Sequence, residues 1–178
     1  MEPKRNSPSF LPFIIVTIII IVGVYFLVVT LNTGDAEWFK STFDGKPQEV
    51  LVHCFGSDIV LKPGDSNYDN LNSLINETLS QDKRWDPLTM SEITYHDYQT
   101  QSTMMVLEMK YAPAVRLHSN TKFFSNVDTL IIPLEGRHAQ YNTVFGRING
   151  NSTAGSFHVQ SIAQLTEYLA AQGICKQP

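Results

Sequence analysis

Phe10 to Leu31 reads FLPFIIVTIIIIVGVYFLVVTL. These 22 residues hold no acid or base, and 17 of them are Leu, Ile, Val or Phe. A helix of that length covers roughly 33 Å at about 1.5 Å per residue, enough for a hydrocarbon core of about 30 Å. Each large apolar side chain is favourable near the bilayer centre by a few tenths of a kcal/mol, and the sum exceeds the penalties from Thr17, Gly23, Tyr25 and Thr30. Pro12 falls in the first turn, where a missing N–H costs little. A strand reading fails on length, because strands rarely exceed about 10 residues. The block therefore predicts a membrane helix over 10–31. A cleaved signal peptide has an apolar core of about 7–15 residues and small residues at its cut site. The following LNTGDAEW fits that poorly, so an uncleaved signal anchor is expected.

The flanks set the orientation. Lys4 and Arg5 precede the block, whereas Asp35 and Glu37 follow it. By the positive-inside rule residues 1–9 form a cytoplasmic tail, and the chain after the helix lies outside the cytoplasm, anchored by one pass in the cell membrane. The whole chain has 178 residues, a formal charge of −4, 43% hydrophobic residues and two cysteines. That composition excludes a disordered chain and a disulfide-dense scaffold. Residues 32–178 carry 11 basic against 16 acidic residues. Such a surface repels phosphates, so no nucleic-acid partner is expected. The expected partners are the bilayer, through residues 10–31, and a protein or small molecule of unknown identity.

Residues 32–48 read as a juxtamembrane connector and 49–178 as one extracytoplasmic domain. Trp38, Phe39 and Phe43 suit either the membrane interface or the base of the core, and both readings stand. EVLVHCF (49–55) and IVLKP (59–63) alternate about a Gly56-Ser57-Asp58 turn, a hairpin pattern. Ser66 is the expected N-cap of a helix with the stripe Tyr68, Leu71, Leu74, Ile75 and Leu79. Residues 82–100 show no clean period, and an irregular loop with a short helix near Ser91 is expected. Strands follow over 103–112, 114–118 (beyond Pro113), 126–134, 140–148 and 156–160. A final helix from Ser161, with a capping-box spacing to Gln164, ends at Gly173. The order points to an α+β fold: an N-terminal transmembrane helix, then a mainly antiparallel sheet with two or more helices packed on one face.

Motifs are few. Cys54 and Cys175 would pair in an oxidising compartment, closing a loop of about 120 residues; alternatively Cys54 is a small buried hydrophobe. Asn76 and Asn151 begin N-x-[ST] sequons, and Asn151, in a polar loop, is the better glycosylation candidate. Asp65, Asn67 and Asp69 open like a calcium loop, but Asn70 replaces its glycine and Asn76 its closing acid, so the helix-start reading prevails. His53, His96, His118, His138 and His158 show no metal-ligand spacing, and no phosphate-binding glycine loop or nucleophile elbow occurs. Neither metal nor cofactor is expected. Long irregular segments in compact domains are often functional, which singles out Trp85, Tyr95, His96 and Tyr98, with Arg137 and His138 in the turn at 135–138. The expected function is a binding or interaction domain held at the membrane surface. The alternatives are a tethered hydrolase, with histidines and acids from several strands meeting, and an envelope assembly component.

Overall fold

The computed structural model describes residues 10–175. Helix α1 spans Leu11–Thr33, with Pro12 in its opening turn. Gly34 ends it in the left-handed conformation (φ 65°) and donates its N–H to the Thr30 carbonyl. Every residue from Phe10 to Val28 is exposed, so α1 stands clear of the rest of the chain along most of its length. By length and composition it is able to cross a membrane.

The other elements are β1 (Glu49–Cys54), β2 (Ser57–Leu61), α2 (Tyr68–Leu79), β3 (Arg84–Asp86), α3 (Glu92–Thr100), β4 (Met105–Val115), β5 (Val127–Glu135), β6 (Thr143–Ile148), β7 (Asn151–Ser152), β8 (Ser156–His158) and α4 (Ala163–Ala171). The strands form one sheet in the order β2-β1-β4-β5-β6-β8-β3, with β7 paired to β6, and every pairing is antiparallel. This is the α+β architecture that the residue pattern predicts.

Period-two alternation divides the strands between two faces. Val50, Val52, Leu107, Met109, Leu130 and Ile132 point one way and bury against Tyr68, Leu71, Ile75 and Leu79 of α2 and Leu165 and Leu169 of α4. Val106, Ile131 and Phe145 point the other way and pack with Tyr98 of α3, Met90 and Met104. Two helices thus share one face, while α3 covers part of the reverse.

Several boundaries differ from the sequence expectation. Residues 84–86 form the edge strand β3, because Trp85 pairs with Phe157 of β8 rather than lying in an irregular loop. β4 continues through Pro113, which sits where the ladder to β5 is interrupted between Lys110 and Val115, so its missing N–H breaks no regular pair. The N-cap of α2 is Asn67, one residue beyond the expected Ser66, and it makes no side-chain cap bond. α4 begins after Ile162, and Ser161 Oγ accepts from the Ala163 N–H instead of forming a capping box. Its other end is as expected: Gly173 (φ 63°) and Ile174 donate to the Ala170 and Leu169 carbonyls, a Schellman closure. Cys54 and Cys175 are joined in a disulfide with Cα atoms 5.5 Å apart, fastening the end of α4 to β1.

The connector is ordered. Asp35 is buried at the head of α1, where its carboxylate meets His118 Nδ1 at 2.8 Å, Arg116 at 3.8 Å and the Glu37 N–H at 2.8 Å. Burial alone would push this carboxyl up, yet the His118 bond and its neighbours hold it below its ordinary value. Further on, the Phe43 N–H donates to Ser80 Oγ, and Lys83 Nζ donates to the carbonyls of Ser41 and Leu79, tying the connector to the C-terminus of α2. The aromatic residues divide between the core and α1. Phe43 enters the core against Tyr111, whereas Trp38 and Phe39 pack on Tyr25 and Phe26 of α1.

Candidate functional site

The densest polar constellation among the described residues lies between α3 and the sheet. In β4, Glu108 falls on the face opposite Leu107 and Met109, where α3 removes it from water to 2% exposure. It meets four neighbours: His53 Nε2 at 3.3 Å, Lys110 Nζ at 3.9 Å, and the Tyr95 hydroxyl (3.1 Å) and Gln99 amide (3.4 Å) of α3. Tyr95 and Gln99 are four residues apart, so one helical face presents both to the same carboxylate. His53 is itself 3% exposed, and its Nδ1 lies 2.7 Å from Asp58, its cross-strand neighbour in the β1–β2 hairpin. Burial pushes the His53 imidazole down, but the hydrogen bonds to Glu108 and Asp58 raise it above its ordinary value. Burial pushes Glu108 up, and the His53 bond with its other donors brings it below the usual carboxylate range. Both ring nitrogens therefore face carboxylates, and the imidazolium form is favoured.

A second layer surrounds this pair. Arg147 of β6 forms a two-pronged ion pair with Glu92, 3.0 Å on each branch, and its guanidinium lies 3.9 Å over the Tyr95 ring. Burial and the nearby Glu108 charge push the Tyr95 hydroxyl up to about 12. Ser91 caps α3, its Oγ accepting from the Thr94 N–H. At the far side of α3 the Tyr98 hydroxyl bonds His138 Nδ1, and Arg137 reaches Thr94 Oγ1 and Asp97, each at 3.4 Å. Burial and the adjacent Arg137 lower His138.

The structure thus assembles Tyr95, Tyr98, Arg137 and His138 around one helix. His96 belongs to the same helix but points outward, where its Nδ1 meets the Thr100 hydroxyl. Trp85 is elsewhere: it stacks on Phe123 with centroids 5.6 Å apart and donates its indole N–H to the Ala154 carbonyl. Gly155 (φ 91°) lets the chain pass close to that indole and to the Asp86 carbonyl, where a Cβ would collide with both. Sequence reasoning missed His53, Asp58, Glu92, Glu108 and Arg147. One signal was available for Glu108: Val106, two residues before it and on the same face, marks that face as covered.

The arrangement is a charged clasp. Neither His53 nitrogen is directed at a hydroxyl or thiol that it could activate. The remaining histidines stand apart, His118 at the α1 junction and His158 on the Tyr141 carbonyl. Among the described residues no three His, Cys, Asp or Glu side chains are grouped to hold a metal. The outer side of α3 offers Glu92, Ile93 and His96 beside Arg137, and Ile93 is 76% exposed. Of the sequons, Asn151 is exposed at the β6–β7 hairpin, while Asn76 lies within α2 with its Oδ1 covered. Compared with protein-family models, curated proteins and solved structures, the chain matches none of them.

Proposed function

We propose that the chain is a single-pass, membrane-anchored protein whose domain stands outside the cytoplasm and binds a partner close to the bilayer. The observation that carries this reading is α1, 23 residues of apolar helix left bare up to Val28 yet joined to the domain through the buried Thr33 and Asp35. Exposing such a surface to water costs about 25 cal/mol per Å² of apolar area, a cost that hydrocarbon removes. Lys4 and Arg5 ahead of the helix, and a disulfide of the kind that persists in oxidising compartments, support the outward placement of the domain.

The binding face best supported is the outer side of α3 with Arg137. Its backbone is pinned from below by Tyr95, Gln99 and Tyr98, so exposed side chains are presented on a rigid helix rather than a loop. Anchoring concentrates that face near partners in the same membrane and requires no catalysis. Alkaline carbonate washing of membranes tests the anchor. The intact chain, with residues 10–31 retained by mass, is expected in the pellet and released by detergent. Unmodified chain in the supernatant would overturn the reading.

A further inference from the structure

We propose that Trp38 and Phe39 form a second membrane contact, a wedge set among the lipids on the domain's side that seats the domain directly on the bilayer. This rests on the anchoring reading above. After Gly34 reverses the chain, the connector runs back along α1. The Trp38 ring lies 5.7 Å from Tyr25 and 6.1 Å from Phe26, and the Phe39 ring lies 6.1 Å from Phe26. Tyr25 and Phe26 precede Thr33 by seven or eight residues, roughly 10–12 Å of helix. Leu27, Val28 and Leu31 are nearer the domain and remain 56%, 58% and 75% exposed. Hydrocarbon extending from Leu11 to Leu31, about 30 Å, therefore covers the level at which Trp38 and Phe39 sit.

Chemistry agrees with that depth. Phe39 is 61% exposed, and its ring contacts are with Phe26 and Trp38. Beside the two rings a cavity of about 210 Å³ is lined by Lys40, Lys83 and His118 with Asp82, Ser119 and Asn120. That mixture of both charge signs and hydroxyls suits a zwitterionic headgroup, and the net acidic domain disfavours an anionic one. Because Asp35 is clasped by His118 and Arg116, wedge and helix enter the lipid as one body.

The test uses the full chain in phosphatidylcholine vesicles whose acyl chains carry bromine near the headgroup. Trp38 and Trp85 are the two tryptophans, so Trp85→Phe isolates the first and Trp38→Phe the second. The expected result is that Trp38 loses most of its emission to the brominated lipid and resists aqueous iodide, while Trp85 does the reverse. Should Trp85→Phe fail to fold, the difference between the wild-type chain and Trp38→Phe reads the same quantity. Quenching of Trp38 by iodide but not by bromine, in protein that pellets with the vesicles, would overturn the wedge alone. Protein that does not pellet with vesicles would overturn the anchor and the wedge together.

Discussion

Glu108 is the residue on which the reverse face of the sheet depends. A buried carboxylate is tolerated only when donors surround it, and here His53, Tyr95 and Gln99 do so. Removing one partner of such a pair leaves an uncompensated charge and costs about 3–5 kcal/mol. Thermal unfolding of the detergent-solubilised chain should show that loss for Glu108→Ala and a smaller one for Glu108→Gln, which keeps the volume. The pH dependence follows from the two shifts. His53 is raised, so its contribution is complete below its ordinary value of 6.5 and is lost as pH rises through the folded value. Glu108 is lowered, so its contribution is complete above its ordinary 4.5 and is lost as pH falls through the folded value. The stability gap between the wild-type chain and His53→Gln is therefore widest between those two values and narrows toward alkaline pH. A gap that widens above neutrality would contradict the pairing. Sequence alternation places Glu108 on the polar side of its strand but does not reveal that α3 closes over that side.

At the level of elements, strong periodicity was legible and short or irregular pieces were not. α1, α2, the β1–β2 hairpin and the Gly173 stop follow from apolar spacing and one glycine. β3 has three residues and earns its place only by pairing with β8, a contact some 70 residues away that local pattern does not encode. Pro113 reads as a break because proline lacks an N–H, yet an interruption in the ladder accommodates it within β4. The link between β1 and α4 is covalent. With Cys54 and Cys175 separated by 121 positions in sequence, the chain-entropy estimate gives about 5 kcal/mol. Cys175→Ser should lower the melting transition accordingly, and non-reducing gels with thiol alkylation should show no free thiol in the unaltered protein. Quantitative labelling of both cysteines without reductant would remove the bridge.

For the whole molecule, class and the helix-covered face were readable from element order, whereas the placement of α3 on the reverse face and the strand order were not, because β8 reaching β3 and β1 reaching β4 are long-range choices. Half of the candidate site was legible: an aromatic, period-free segment and a turn singled out Tyr95, His96, Tyr98, Arg137 and His138, and packing supplied the acids and Arg147 that surround them. If α3 is the binding face, Ile93→Asp with Arg137→Glu should abolish partner recovery by crosslinking in membranes and leave the melting transition nearly unchanged, since Ile93 is exposed and Arg137 about half so. Undiminished recovery with a normal melt would move the binding site elsewhere.

The bridge from β1 to the residues after α4 also governs what happens when a protease finds the domain. A nick at any peptide bond between Cys54 and Cys175 leaves two fragments that are still one covalent object, since each retains one sulfur of the pair. The severed carboxyl-terminal portion would stay leashed to the part of the chain that carries α1 and separate only when a reductant arrives, so the damage is released by a change of redox conditions and not by the cut itself.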